Sequence, residues 1–115
     1  MDKQKEEITK LLKYKQKTCA QLLEKMGEQM EAVRIQDNSR LLLIIEVKEN
    51  LILDLNKTDQ KISDLAKNLS DTAQRSLVKD NEALGKRIEL DLEKIIEQET
   101  VCQKKLNILK NGILE

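Results

Sequence analysis

The chain contains no proline, no histidine, no phenylalanine and no tryptophan, and it has one tyrosine, Tyr14, and three glycines. Each absence excludes something. Without proline, the strongest helix breaker is missing. Without histidine, the commonest general base and the commonest metal ligand are missing. A single aromatic ring offers no platform for stacking nucleic-acid bases. The two cysteines, Cys19 and Cys102, have no CxxC spacing and no neighbouring ligands, and no histidine exists to activate a thiolate. Carboxylates are abundant, but most fall at solvent-facing helical positions. The expectation is a protein that is not an enzyme and uses no cofactor or metal.

Charge of one sign is not in excess either. Lysine plus arginine equals 21 and aspartate plus glutamate equals 21, so the net charge is zero. A phosphate-backbone binder needs a basic surplus, so nucleic acid is not expected as a partner. Lys10, Lys13, Lys15 and Lys17 form a local basic stretch that reads as a solvated helix face. The longest uninterrupted apolar run, Leu41–Ile45, is far short of a membrane span, so no membrane insertion is expected. The chain opens on the polar run MDKQKEEITK, which has neither signal-segment nor transit-peptide character. These features predict a soluble cytoplasmic protein, and the 115 residues suit one helical domain, 1–115.

What is present is helix-forming sequence. Charged residues make up 37% of the chain, and apolar residues recur at helical spacing. In the first segment, about 3–35, Ile8, Leu12, Cys19, Leu22, Met26 and Val33 follow a 4-3 rhythm, with Lys15 and Gln29 in its gaps. Gly27 lies inside this helix and should cost about 1 kcal/mol relative to alanine. Gln36-Asp37-Asn38-Ser39 supplies a break rich in N-cap residues. A second helix over about 39–69 carries the seam Leu41, Ile45, Lys48, Ile52, Leu55, Asp59, Ile62, Ala66 and Leu69. Lys48 and Asp59 are its polar exceptions; Lys48 is expected to lay its methylenes along the seam and carry the ammonium outward. Two later stretches offer capping residues, 68–72 and Asp80-Asn81. The first is preferred, which makes the third helix about 72–110. Its seam is Leu84, Ile88, Leu92, Ile95, Cys102, Leu106 and Leu109, interrupted by Glu99, and Asn111-Gly112 looks like a stop.

Three such segments joined by short links predict an all-α fold: an elongated antiparallel three-helix, up-down-up bundle with coiled-coil-like packing. In that topology Cys19 and Cys102 lie beyond disulfide reach, and two free thiols are expected.

The apolar surface exceeds what those seams need. Leu43, Val47 and Leu51 lie off the second helix's seam, and Leu90, Val101 and Ile108 form a separate line on the third. These six are the candidate protein-binding residues. A partner for aliphatic stripes of this spacing is another amphipathic helix, and a homodimer through the same surface is the second candidate.

The stretch KMGEQMEAVRIQDNSRLLLIIEVKENLILDLNKTDQKI resembles the core hairpin of flagellar type III export chaperones of the FlgN and FliT kind. The shared features are a leucine-rich helix, an Asp-containing turn at Asp37, then Lys48 followed by Leu51 and Leu55. The stretch LVKDNEALGKRIELDLEKII looks like the third helix of the FliT type. The resemblance covers roughly residues 20–98. It implies a cytosolic chaperone that binds the amphipathic terminal helix of a late flagellar subunit, a hook-associated or filament-cap protein, and prevents its premature assembly. The chain is closer to FliT in length, and it lacks the acidic balance common among secretion chaperones. The alternative is a structural coiled-coil dimer or scaffold protein with no client.

Overall fold

The computed structural model describes the backbone of residues 2–114 and the side-chain environments of residues 3–108. The described residues form four helices and no strand: α1 (Asp2–Arg34), α2 (Asn38–Ala66), α3 (Asp71–Asp80) and α4 (Glu82–Leu114). The molecule is a rod with extents of 61 × 20 × 19 Å. The fold is all-α, as expected, but with four helices rather than three. Both candidate breaks are used, so the expected third helix is two pieces. Asn111 and Gly112 do not stop the chain; α4 runs through them. The environment of Leu109, assigned to the seam, lies outside the described residues.

Local chemistry explains each boundary. At the end of α1, Gln36 adopts a left-handed conformation with φ 56°. The Gln36 N–H donates to Val33 O at 3.2 Å and the Asp37 N–H to Ala32 O at 2.9 Å. This paired closure satisfies carbonyls that the helix end would otherwise leave without partners. Asp37 then caps α2, its carboxylate accepting from the Arg40 N–H at 3.1 Å. At the far end of α2, the Gln74 side-chain amide donates to Ala66 O at 2.8 Å and Leu69 O at 3.2 Å. Ser70 caps α3 by accepting from the Ala73 N–H at 3.1 Å. The α3–α4 break is shallow. Asn81 leaves helical geometry at φ −113°, ψ 22°, yet the Gly85 N–H still donates to Asn81 O at 2.8 Å. The Asn81 amide donates to Leu77 O and, across the interface, to Thr9 Oγ1 at 3.2 Å.

Three cross-helix bonds show how α3 and α4 run. Lys5 reaches Ser76, Asn81 reaches Thr9 and Gln29 reaches Glu99, at chain separations of 71, 72 and 70 residues. A near-constant separation means that α3 and α4 follow α1 in parallel and in one register. Against α2 the sense reverses: going up α1 from Lys15 to Gln29 goes down α2 from Asp59 to Lys48. α1 packs along both α2 and α4, whereas α2 and α4 have few or no close backbone approaches to each other.

The core follows these contacts. Ile8, Leu69, Ala73 and Leu77 cluster at the α3 end, with Leu12, Ile62, Leu65 and Ala66 packed against them. Further along, Cys19, Leu22, Met26, Val33, Ile44, Ile88 and Cys102 are buried. Both cysteines are free. In the common register Cys19 is level with Leu90, twelve residues short of Cys102, which is about 18 Å along a helix. Burial pushes the Cys19 thiol above its usual value. Gly27 admits no close helix approach, since a Cβ there would meet nothing within 4 Å.

The inner stripe of α2 keeps Leu41, Ile45, Lys48, Leu55, Ile62 and Ala66 of the expected seam inward but is centred to one side of it. Ile44, Lys48 and Thr58 are buried and Leu51 is half-buried, while Ile52 and Asp59 are exposed. The apolar residues of α2 form two overlapping lines, and periodicity alone does not choose between them. Polar contacts do. Lys48 does not send its ammonium outward. It donates to Gln29 Oε1 at 2.6 Å and to the Glu99 carboxylate, and the Gln29 amide donates to Glu99 Oε1 at 3.3 Å. The other seam exceptions also pair, Lys15 with Asp59 at 2.7 Å. Thr18 and Thr58 satisfy their hydroxyls on the preceding helical turn.

Two outcomes follow. Gln36→Gly removes the left-handed penalty of a side chain and should stabilise by about 1 kcal/mol, raising the melting temperature by about 4 °C. Glu99→Leu leaves the Lys48 ammonium with the neutral Gln29 carbonyl and no counter-charge. It should cost about 2–3 kcal/mol in urea unfolding, below the usual range for a buried pair because Glu99 is half exposed. The triple variant Gln29→Leu/Lys48→Met/Glu99→Leu should recover most of that loss. A triple variant as weak as the single one would assign the loss to packing instead.

Candidate functional site, an open groove between α2 and α4

The six sequence-nominated residues do not assemble into one surface. Leu43 and Val47 are exposed, as are Leu90, Val101 and Ile108. Leu51 is the exception: it turns inward along the α2 stripe and is half-buried. Two contacts orient α2. Lys48 reaches Glu99 on α4, so its flank faces α4. Asp54 accepts from the Tyr14 hydroxyl on the other flank. At roughly 100° per residue, Leu43 and Val47 share the Asp54 flank and are turned away from α4. On α4, Leu90 and Ile108 point well away from the buried line of Ile88 and Cys102. These residues form two separate aliphatic patches rather than a shared one.

A different apolar surface lies between α2 and α4. It is an open groove of about 540 Å³ with Leu12 of α1 at its base over the fully buried Ile8. Ile62 and Ala66 form one wall, Leu77 and Val78 close the α3 end, and Gly85 and Glu89 stand on the α4 side. Gly85 contributes width, since no atom lies within 4 Å of where its Cβ would be. Helical phase carries the same walls upward. Ile96 is seven residues beyond Glu89, two turns along the same line. Ile52 lies on the α2 flank shared with Lys48 and Asp59, close to the level of Ile96 as the Lys48–Glu99 pairing sets it. Val78 is 72% exposed, Ile96 66% and Ile52 43%, so the chain leaves these walls uncovered. At the upper end the Lys48–Gln29–Glu99 contacts bridge the two helices.

Periodicity along α4 does not single out Ile96, and periodicity along α2 places Ile52 in the buried seam. Pairing the polar exceptions with one another is the signal that would have set the phase of α2 and exposed Ile52.

The groove holds little reactive chemistry. Among the described residues there is no cluster of metal-ligating side chains, and no helix is long and apolar enough to cross a membrane. Its polar groups are the amides of Gln74 and Asn81 and the charges of Glu82, Lys86 and Glu89. Lys86 lies 3.4 Å from Glu82. The arrangement suits shape-based burial of apolar side chains. No family model, no curated protein and no solved structure matches the chain.

The Tyr14–Asp54 contact that orients α2 is directly measurable. The hydrogen bond to the Asp54 carboxylate, with its charge, holds the Tyr14 phenol above its usual value. Tyr14 is the sole tyrosine, so an ultraviolet absorbance titration reports it alone. The midpoint should exceed about 10 and should fall back toward that value in Asp54→Asn. A normal midpoint in the unaltered protein would place Asp54 elsewhere and remove the assignment of the two flanks.

Proposed function

We propose that the protein is a helix-binding chaperone or adaptor that acts by binding alone and takes its client in the groove between α2 and α4. One observation carries the reading. α2 and α4 both lie on α1 yet stay apart from each other, with uncovered aliphatic walls between them. Packed helices approach to about 8–10 Å between axes, and such approach would bring many backbone positions together. Two helices seated on a third but parted from each other leave the fourth position of a four-helix bundle empty. An amphipathic helix fits that position.

Magnitudes support a reversible complex. Each fully buried aliphatic side chain contributes about 1.5–3 kcal/mol. Ile52, Val78 and Ile96 together with the half-buried Leu12 and Ile62 offset association costs of several kcal/mol with a modest surplus. In the form suggested by the sequence resemblance, the client is the terminal helix of a hook-associated or filament-cap protein, held in the cytosol and kept from premature assembly.

The structural alternative, a coiled-coil dimer or scaffold with no client, has its own observation. Leu42 and Leu53 stand 69% and 58% exposed on the outer face of α2, with Leu43 beside them. Light scattering across concentration separates the two readings. A chaperone stays monomeric or weakly dimeric and forms a stoichiometric complex with a client-helix fragment, whereas a scaffold is a tight oligomer indifferent to it.

Ile52→Lys and Ile96→Lys test the site. Both residues are exposed, so the circular-dichroism spectrum should be unchanged and the melting temperature should move by about 2 °C or less. Affinity for the client helix should fall at least about tenfold, the equivalent of one lost apolar contact. Leu43→Lys/Val47→Lys should leave that affinity intact. The opposite pattern would move the site to the outer flank of α2.

A further inference from the structure

We propose that the groove selects its occupant by charge: it takes an amphipathic helix whose apolar stripe is flanked by lysine or arginine. The inference rests on the groove reading above and names the chemistry of the partner.

The chain is neutral overall, yet its charges are unevenly placed around the groove. Glu89 lines it directly. Glu93 is one turn further along the same side of α4, beside the line that runs from Glu89 to Ile96. Glu49 stands on the opposite rim, next in sequence to Lys48, whose side chain marks the α4-facing flank. All three are exposed. None appears in an ion pair among the described residues, whereas Lys86 at the same rim is taken up by Glu82. Apart from Lys86, and Lys104 beyond the Lys48–Glu99 bridge, the exposed lysines of these two helices fall elsewhere. Lys57 and Lys61 point away from the flank of Lys48 and Asp59. Lys94 is nearly opposite the Glu89–Ile96 line. The groove therefore presents apolar walls between unpaired carboxylates.

A helix seated between α2 and α4 would bring its flanking positions against Glu49 on one side and Glu89 and Glu93 on the other. Lysine or arginine there meets opposite charge; glutamate there meets like charge without relief. Exposed ion pairs are individually weak. Three of them amount to roughly a tenfold preference at moderate salt, and screening removes most of it at high salt.

Two synthetic helical peptides provide the probe, with one leucine stripe in common and either lysine or glutamate at every flanking position. Each is titrated into the full chain at low and high sodium chloride. The lysine peptide should bind about tenfold tighter at low salt, and the gap should close at high salt. Glu89→Lys/Glu93→Lys should reverse the order of the two peptides, and Glu89→Gln/Glu93→Gln should shrink the difference to the roughly twofold share left by Glu49. Both variants alter exposed positions, and circular dichroism confirms that they fold.

Equal binding of the two peptides, or a preference for the glutamate peptide, overturns the charge selection and leaves helix capture standing. Binding of neither peptide overturns the groove reading with it. A preference for lysine that survives Glu89→Lys/Glu93→Lys shows that the peptide sits elsewhere and also defeats the proposal. Sedimentation of the free chain completes the set: a dimer that Ile96→Lys dissociates would make a second copy the occupant and end the proposal.

Discussion

Lys48 brings an ammonium into the interior of a rod about 20 Å across, and much of the architecture follows from keeping that charge satisfied. Leaving it unpaired would cost several kcal/mol. The partners come from two other helices, Gln29 of α1 and Glu99 of α4. All three side chains meet in only one axial register and one rotation of α2. A slip of one residue would rotate α2 by roughly 100° and carry the ammonium out of reach of both. Lys15 and Asp59 repeat the constraint nearer the α3 end. Well-packed leucines at these positions would hold the helices together at least as strongly, but they would tolerate other alignments. The polar positions therefore act on register, and the aliphatic ones supply the driving force.

The same contacts explain why an apolar groove persists in so small a chain. α1 is the shared surface, and it is long enough to seat both other long helices along its length. α2 and α4 meet through the side chains of Lys48 and Glu99 rather than by backbone packing. Below that bridge Ile62 and Ala66 of α2 pack over Ile8, and the groove runs between them and the Gly85–Glu89 side of α4. α3 closes the lower end: Gln74 ties it to the last carbonyls of α2, and Lys5 and Thr9 tie the α3 region to α1. A rod clasped at one end by α3 and at the other by a polar bridge keeps the space between them open.

Much of this was legible in the chain and some was not, and the division has a cause. The stripe of α1 and the seam of α4 were apparent because each helix has a single apolar line facing its neighbours. The first turn was apparent because Asp37 is a strong cap and the adjacent residues are poor helix formers. The phase of α2 is apparent only in part: Leu41, Ile45, Leu55 and Ile62 stay inward as periodicity requires, but isoleucines and leucines surround the helix and hide its offset toward Ile44 and Leu51. The break at Asn81 was weighed but not adopted, since its one decisive contact, with Thr9, is distant in sequence. Leu51 was nominated as a surface residue for the same reason that Ile52 was nominated as a core one: an error of one position in α2 exchanges them. The groove was missed entirely, because Ile96 gains meaning only from what stands opposite it.

By itself the sequence determined the helical state, the places where helices start and stop at Asp37 and Ser70, and the absence of histidine. Those properties depend on residue type and on hydrogen bonds spanning a few residues. Only the tertiary structure decided which face of α2 turns inward, that α3 and α4 are separate yet aligned, and that α2 and α4 stand apart. Those outcomes depend on contacts between residues about twenty to seventy positions apart, such as Gln29 with Lys48 and Glu99. Periodicity along a single helix carries no information about the distance to another.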